Sequence, residues 1–365
     1  MLDELEKSLP RDAYLSDTNF KNEHNAIFES DWVCVGRSEL LKESGTYLAV
    51  RLQAQSILIV CREDGELSAF YNVCRHRGTE LVPLEDPGPV TGKFQNRIVC
   101  PYHAWSYNFD GGLRGTPHLD VDTDSVGLYP IALEVWSGFI FVHLNPDKRS
   151  SLVTTLGSGT ERLKRYPLAD LRVAESISYE INANWKVIVE NYNECYHCGP
   201  VHPELCRIVP AFRQGGDGLD WDDGVPHREG ANTFTATGTT RRGPFPGISD
   251  RERTHHKGEL FYPNLMLSLS MDHVVAFYLW PQNVGQTRIR CDFMFHPNEM
   301  KKSNFDGSDA IEFWDMVNKQ DWAICESVQR GMQNRVFEHG YYAPMEDYSL
   351  DIRRYLSEKL GETRD

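Results

Sequence analysis

The stretch Asn184 to His202, NWKVIVENYNECYHCGPVH, packs Glu190, Glu194, His197 and His202 into one short, otherwise helix-like run. Glu194 and His197 are three apart, so a helix would set them on one face. Gly199-Pro200 should then break the helix, because proline has no N–H and clashes with the preceding turn. His202 lies five residues past His197. An unbroken helix would not align the two, and the break supplies the freedom to do so. Two imidazoles with a carboxylate close by are what a divalent iron site needs. Taken alone, the run also reads as a polar helix end with two unrelated histidines.

A second set of possible ligands lies upstream. Cys74-Arg75-His76 and Cys100-Pro101-Tyr102-His103 form C-x-H, 23 intervening residues, then C-x-x-H. Two thiolates and two imidazoles can hold zinc, or a [2Fe–2S] cluster with the cysteines on one iron and the histidines on the other. A zinc finger pairs its cysteines on one turn and its histidines on another. Here each turn carries one of each, which suits split ligation.

These residues need elements to hold them. Residues 1–30 read as an acidic helical arm with Phe20, Ile27 and Phe28 as packing points. From Trp32 the runs WVCVG, TYLAVRL, SILIV, LSAFYNV and, at 138–144, GFIFVHL read as strands separated by turn signals. Asn145-Pro146-Asp147 looks like a boundary. Beyond it the spacing predicts a helix near 151–165, a strand near 172–181 and a helix N-capped by Asn184. Residues 213–257 are Gly-, Asp- and Arg-rich and read as surface loops. LFYPNLMLSLS, HVVAFYLW and TRIRCDFMF read as three strands, followed by helices at 310–333 and 347–359. On the first of these helices Trp314, Val317, Ile324, Cys325, Val328 and Met332 fall within about 60° of Asp321, at 100° per residue. Asp315 and Glu326 point away. An aspartate on an apolar stripe is costly unless a cation or donors satisfy it. It could also cap a loop or pair with an arginine.

The formal net charge of −15 argues against nucleic acid and anionic membranes as partners. No apolar run is long enough to span a membrane, and MLDELEKSLP lacks the layout of a signal peptide. A cytoplasmic protein is expected. Nine cysteines in such a chain suggest metal ligation rather than a disulfide framework. Cys195, Cys198 and Cys206 could form a zinc site with the nearby histidines, but read more simply as small buried packing residues. The remaining histidines, including His255-His256, read as ordinary.

CRHRGTEL and CPYHAWSYNFDGGL resemble the two cluster loops of Rieske proteins. The spacer is longer than that family usually has, and Glu85 to Gln95 reads as an inserted surface turn. Where respiratory Rieske proteins carry a disulfide, this chain has Thr79 and Tyr102, so the resemblance is to the oxygenase and ferredoxin kind. A Rieske motif followed by N-W-K and E-C-Y-H-x4-H resembles the Rieske non-haem iron oxygenases over nearly the whole chain.

That resemblance implies an α+β chain in three parts. These are an arm (1–30) packing with the catalytic domain, an all-β Rieske domain (31–148), and a catalytic domain (149–365) with helices flanking an antiparallel sheet. It implies that Cys74, His76, Cys100 and His103 hold [2Fe–2S], and that His197, His202 and Asp321 hold Fe(II). O2 would be the co-substrate. Electrons would come from NAD(P)H through a flavin and iron–sulfur reductase, since the chain has no nucleotide-binding signal of its own. The family assembles as a trimer, so a homotrimer or a dimer of trimers is expected. Its carboxylate three residues before the first histidine links the two centres, and here that residue is Glu194. Glutamate in place of the commoner aspartate resembles the branch acting on quaternary ammonium compounds such as carnitine and betaine.

N-demethylation of a quaternary or methylated amine is therefore the expected reaction. Phe261, Tyr262, Phe277, Tyr278 and Trp280 are candidates for a cation–π box, although strand aromatics also serve as core. Aromatic-ring hydroxylation is the alternative within the class. A Rieske electron carrier is the alternative outside it, but a carrier has no use for the second domain.

Overall fold

The computed structural model describes residues 5–84, 88–120, 122–123, 126–147, 150–216 and 218–361. The chain opens with β1 (Glu6–Lys7), α1 (Arg11–Leu15) and α2 (Asp17–Glu23). Ten strands follow: β2 (Val33–Arg37), β3 (Thr46–Leu52), β4 (Gln55–Cys61), β5 (Leu67–Tyr71), β6 (Val90–Lys93), β7 (Ile98–Val99), β8 (Ser106–Tyr107), β9 (Leu113–Gly115), β10 (Pro130–Trp136) and β11 (Phe139–His143). Next come α3 (Leu152–Leu156), α4 (Gly159–Arg162), β12 (Arg172–Ile181), α5 (Trp185–Tyr192), α6 (Cys198–Val201) and α7 (Pro203–Ile208). The last part holds β13 (Val225–Pro226), β14 (His255–Phe261), β15 (Leu265–Leu269), β16 (His273–Asn283), β17 (Gln286–Phe295), α8 (Pro297–Met300), α9 (Ser308–Met332), β18 (Tyr341–Tyr342) and α10 (Asp351–Leu360). The class is α+β. Two compact units result, residues 28–155 and residues 1–27 with 156–365.

Within 28–155 a seven-stranded antiparallel sheet runs in the order β2-β11-β10-β5-β4-β3-β6, beside a three-stranded sheet β7-β8-β9. The expected strand runs are found as β2, β3, β4, β5 and β11. Central β4 is buried continuously from Ile57 to Cys61, as its β-branched run requires. Leu58, Val60, Phe70, Ile98 and Tyr107 form a core into which Cys74 and Cys100 are packed. The insertion differs from the expected turn. Residues 85–87 lie outside the described residues, but Val90–Lys93 is strand β6, paired with Thr46–Ala49 of β3. The expected division between residues 148 and 149 also falls outside the described residues. The compact units part between Thr155 and Leu156.

The other unit is built on a six-stranded antiparallel sheet, β12-β17-β16-β15-β14-β13. β16 is buried without interruption from His273 to Pro281, while edge strand β12 is largely open to solvent. α5 packs on α9 and on β16. Its N-cap is Asn184, whose side chain accepts from the Lys186 amide. The helix expected at 151–165 is two short ones, α3 and α4, parted at Gly157, which takes φ +63°. LFYPNLMLSLS is not one strand. Tyr262-Pro263-Asn264 turns it into the β14–β15 hairpin, with Phe261 opposite Leu265, because proline cannot donate to a ladder.

Residues before Ile27 are fastened to this unit by buried polar contacts. The Lys186 ammonium donates to both Glu23 oxygens, at 2.8 and 2.6 Å, and the Trp185 indole N–H donates to the same carboxylate at 3.0 Å. Lys186 is wholly buried. Removing either partner would leave an uncompensated buried charge, at a cost of about 3–5 kcal/mol. Of the expected packing points, Ile27 and Phe28 are buried and Phe20 is half-buried. Tyr14, which periodicity did not single out, is fully buried, and its hydroxyl donates to Glu190 at 2.7 Å.

Candidate metal centres

The two Cys/His loops are built alike. Cys74 N donates to Thr79 O and Gly78 N to Cys74 O; Cys100 N donates to Trp105 O and Ala104 N to Cys100 O. Each loop closes on a residue with positive φ four positions after its cysteine, Gly78 at +77° and Ala104 at +57°. Both sulfurs are buried. The Tyr107 hydroxyl lies 3.2 Å from Cys74 Sγ and accepts from the Arg75 amide. Burial pushes the Cys100 thiol up, while the backbone of Tyr102 and His103 hydrogen-bonds to its sulfur and pulls the other way. The two imidazoles meet edge to face at 4.7 Å, and His76 stacks on Trp105 at 4.9 Å. Desolvation and the neighbouring His76 and Arg77 hold the His103 imidazole below its ordinary value. His76 Nδ1 is buried and has no hydrogen-bond partner, a costly state for a polar atom unless something else satisfies it.

The donor set fits a two-iron cluster. Two buried sulfurs with amide donors suit one iron, and two adjacent imidazoles, one with an orphaned nitrogen, suit the other. Among the described residues the one group of three or more His, Cys, Asp or Glu donors that closes to within 4.8 Å is elsewhere. The loop donors are therefore spread wider than a single zinc ion would want.

That compact group is His197, His202 and Asp321. His197 lies just before α6, His202 between α6 and α7, and Asp321 in the middle of α9. Both Nε2 atoms converge on Asp321 Oδ1, His202 at 2.8 Å and His197 at 3.2 Å. The opposite nitrogens are also held. His197 Nδ1 lies 2.5 Å from Glu194 Oε1, and His202 Nδ1 lies 2.8 Å from Gln320 Oε1. Gln320 donates in turn to Glu204 at 3.2 Å. Each Nδ1–H thus points at an acceptor, which turns each Nε2 lone pair inward, where a metal would take the place of the Asn191 amide that lies 3.3 Å from His197 Nε2. Burial opposes charge on His197, yet its hydrogen bonds to Asp321 and Glu194 push it up to about 11. Asp321 is held below the usual carboxylate range by the two imidazoles in spite of its burial. The site therefore favours a cation among these side chains, and a divalent ion answers that field as well as a proton does. Two neutral imidazoles and one carboxylate fit Fe(II) with positions left open.

The local geometry departs from the expected helix. α5 ends at Tyr192, and Glu194 and His197 lie in the irregular turn between α5 and α6. Glu194 reaches His197 by folding back, its other oxygen accepting from the His197 amide at 3.1 Å. Gly199-Pro200 sits inside α6, where proline in a first helical turn lacks an N–H that has no intrahelical partner anyway. On α9, Trp314, Val317, Cys325 and Met332 are buried as expected, but Ile324 and Val328 are exposed. Asp315 accepts from the Tyr179 hydroxyl, away from the triad.

The triad opens on a cavity of about 430 Å³. Of the five aromatics proposed for a substrate box, Tyr262 and Phe277 line it. Phe261, Tyr278 and Trp280 do not. Phe261 turns toward α4, where its ring would stand 2.7 Å from a Cβ at Gly159. Tyr278 and Trp280 share the far face of β16 and stack at 6.2 Å, with Arg290 over the Tyr278 ring. The wall instead includes Tyr192, Phe212, Trp221, Phe234, Trp314 and Tyr348. Phe212 and Trp221 stack at 6.0 Å. His256, which the sequence left as ordinary, is buried in the same wall, and burial holds it well below its ordinary value. The charged part of the wall is acidic. Arg162 is engaged by Glu259 at 2.6 and 2.9 Å and by Asp222 at 3.1 Å, and Asp351 lies nearby. The strand pattern carried one usable signal for these, since Glu259 is an acid in the half-buried strand β14.

Both parts of the chain resemble known proteins. Residues 31–130 match the Rieske [2Fe-2S] domain, and residues 168–361 match the ring hydroxylating alpha subunit (catalytic domain). The carnitine monooxygenase oxygenase subunit of Acinetobacter baumannii is 31% identical over 342 residues, covering 90% of this chain and 86% of that one. The glycine betaine monooxygenase oxygenase subunit of Pseudomonas aeruginosa is 26% identical, covering 97% and 89%. The crystal structure of the quaternary ammonium Rieske monooxygenase CntA with L-carnitine aligns with a TM-score of 0.76 at 26% identity, covering 98% and 96%. Naphthalene 1,2-dioxygenase from Rhodococcus sp. shares the fold, with a TM-score of 0.75 at 17% identity.

Proposed function

The chain belongs to the ring-hydroxylating alpha-subunit family of Rieske oxygenases, and from that premise we propose that it hydroxylates an N-methyl group of a quaternary or methylated amine. It is the oxygenase component of a system in which a partner reductase supplies electrons. Among the described residues no helix is long and apolar enough to cross a membrane. We place the protein in the cytoplasm, as a homotrimer or dimer of trimers served by a flavin and iron–sulfur reductase.

Cys74, His76, Cys100 and His103 would hold [2Fe–2S], and His197, His202 and Asp321 would hold Fe(II). Delivery of single electrons and activation of O2 are what these groups bring when bound. The chain's own residues do the rest. Glu194 and Gln320 fix the imidazole tautomers. Glu194 is also the residue we assign to couple the two centres, its second ring partner being a cluster histidine of a neighbouring subunit.

The observation that carries the substrate reading is the cavity wall. A trimethylammonium group has no N–H, so aromatic faces and diffuse negative charge must bind it, at about 0.5–2 kcal/mol per favourable ring. Tyr192, Phe277 and Trp314 supply faces in the cavity wall, where the acids Glu259, Asp222 and Asp351 outnumber Arg162. Insertion of one oxygen atom turns N–CH3 into N–CH2–OH, the second oxygen leaving as water with two electrons and two protons. The carbinolamine then splits to the amine, formaldehyde and a proton. The relatives named as carnitine, glycine betaine and choline monooxygenases support a quaternary ammonium substrate.

The test is a substrate panel with a surrogate reductase, scored by formaldehyde. Choline, betaine, carnitine and stachydrine are run beside benzoate-like aromatics. Formaldehyde from at least one amine, coupled to O2 uptake, is expected. Silence from every amine, with an aromatic oxidised instead, would overturn the reading.

A further inference from the structure

Cys195 and Cys198 stand on either side of His197 in the sequence C-Y-H-C. The Cys198 amide donates to Cys195 O at 3.1 Å, so the four residues form one turn. That turn sets the two side chains together, and the Cys198 thiol lies 2.6 Å from Cys195 Sγ. Cys195 and Cys198 both line the cavity onto which the triad opens. Both residues are also buried, so bulk thiol reagents reach them slowly, and the cavity they line is the short route to them for a small molecule. A third thiol, Cys206, is directed elsewhere and donates to Cys198 O at 3.3 Å. C-x-x-C spacing with sulfurs in contact is the arrangement of a dithiol that can close on itself.

We infer that Cys195 and Cys198 form a redox-active dithiol, oxidised by hydrogen peroxide arising in the cavity to a disulfide that closes around the iron ligand His197. The inference rests on reading this cavity as the place where O2 is activated. Such a cavity, given two electrons and two protons but no substrate, releases O2 as H2O2. One thiol then takes an oxygen atom from peroxide, giving a sulfenic acid and water. The other thiol displaces the hydroxyl as a second water and forms the S–S bond. Two thiols are oxidised and one peroxide is reduced. The bond ties together the two ends of the turn that presents His197, so the ligand loses the freedom to settle on the metal.

The test uses the holoenzyme. It is exposed to hydrogen peroxide, denatured, alkylated with iodoacetamide and mapped by mass spectrometry. The peptide carrying Cys195 and Cys198 should become lighter by two hydrogen atoms, resist alkylation, and recover with dithiothreitol. Cys195→Ser and, separately, Cys198→Ser should abolish the mass loss. Release of iron to a chelator should be about tenfold faster from the oxidised wild type, the scale of other changes around metal ligands, and unaffected by peroxide in Cys195→Ser. Full alkylation of both cysteines at a peroxide dose that oxidises methionine overturns the inference, as does a bond to Cys206 instead. Should Cys195→Ser fail to fold, the wild-type peptide map decides alone. The mass readout needs no turnover, so its failure leaves the amine reading standing, and a silent substrate panel leaves the disulfide to be judged by its mass.

Discussion

In residues 28–155 each pair of candidate ligands sits on one backbone turn, two or three residues apart, and the turn's own hydrogen bonds hold it. In the other unit the three candidate ligands come from two places 119 residues apart, His202 and Asp321, and side chains hold them. The first site is written into local sequence and needs its turns. The second is assembled by tertiary packing and needs its hydrogen-bonded neighbours. This difference decides where each site is vulnerable.

The largest effects should come from the ligands, and they should separate the sites. Cys100→Ala should bleach the red-brown cluster and leave one non-cluster iron per chain. Asp321→Asn should do the reverse, since the amide removes the anion, with turnover falling to background. Visible spectra and iron analysis read both. Iron retained at full occupancy in Asp321→Asn would remove that residue from the site.

The neighbours come next. Glu194→Ala should keep both metals and a normally reducible cluster, yet lose turnover by roughly 10–100-fold. Glu194→Asp should recover part of it. Gln320→Ala touches His202 alone among the three candidate ligands, besides Glu204, and should cost less, chiefly in iron retention. Single-turnover kinetics on the pre-reduced enzyme discriminate between them. A wild-type rate of cluster oxidation in Glu194→Ala would confine Glu194 to holding the ring of His197.

The unit holding residues 156–365 also buries a carboxyl whose titration pH should expose. Burial pushes Glu190 up to about 7, although Tyr342 and Tyr14 donate to it. A carboxyl raised in the folded state binds more protons there than when unfolded. Stability from this group is therefore greatest below about pH 4.5 and falls as pH rises to about 7. Glu190→Gln should flatten that slope for the 156–365 unit in thermal unfolding scans, and leave the cluster's own bleaching temperature unchanged.

The smallest effect tests the loop turns. Gly78→Ala puts a Cβ at φ +77°, where space is open but the conformation is strained, and should cost about 1–2 kcal/mol. Ala104→Gly relieves the same strain at +57° and should be neutral or stabilising by a similar amount. Cluster loss on heating measures both. Equal behaviour of the two variants would mean that the loops are not held by these turns.

Much of this was legible beforehand, for physical reasons that also mark the limits. Four ligands on two short turns are a local pattern, and periodicity placed Asp321 on an apolar stripe. The phase of β16 was not legible. Its two faces are both buried, so Tyr278 and Trp280 looked as eligible as Phe277, and only packing decides which face meets the cavity. Gln320 was invisible because nothing in its own segment marks a residue that acts on a histidine 118 positions away. The helix drawn through Glu194 was mistaken because the side chain, not a continuing helix, makes the contact with His197.

The ion pair between Glu23 and Lys186 has a consequence for how the protein is made. The two are separated by 163 residues, and the whole 28–155 unit lies between them. On a ribosome adding about 5–20 residues per second, Glu23 waits roughly ten to thirty seconds for its partner to emerge. In that interval the interposed unit can fold alone, while the segment before it stays unpaired with its acid in water. A bulky fusion placed on that segment should therefore delay or derail the later-made unit and spare the one nearest to it in sequence.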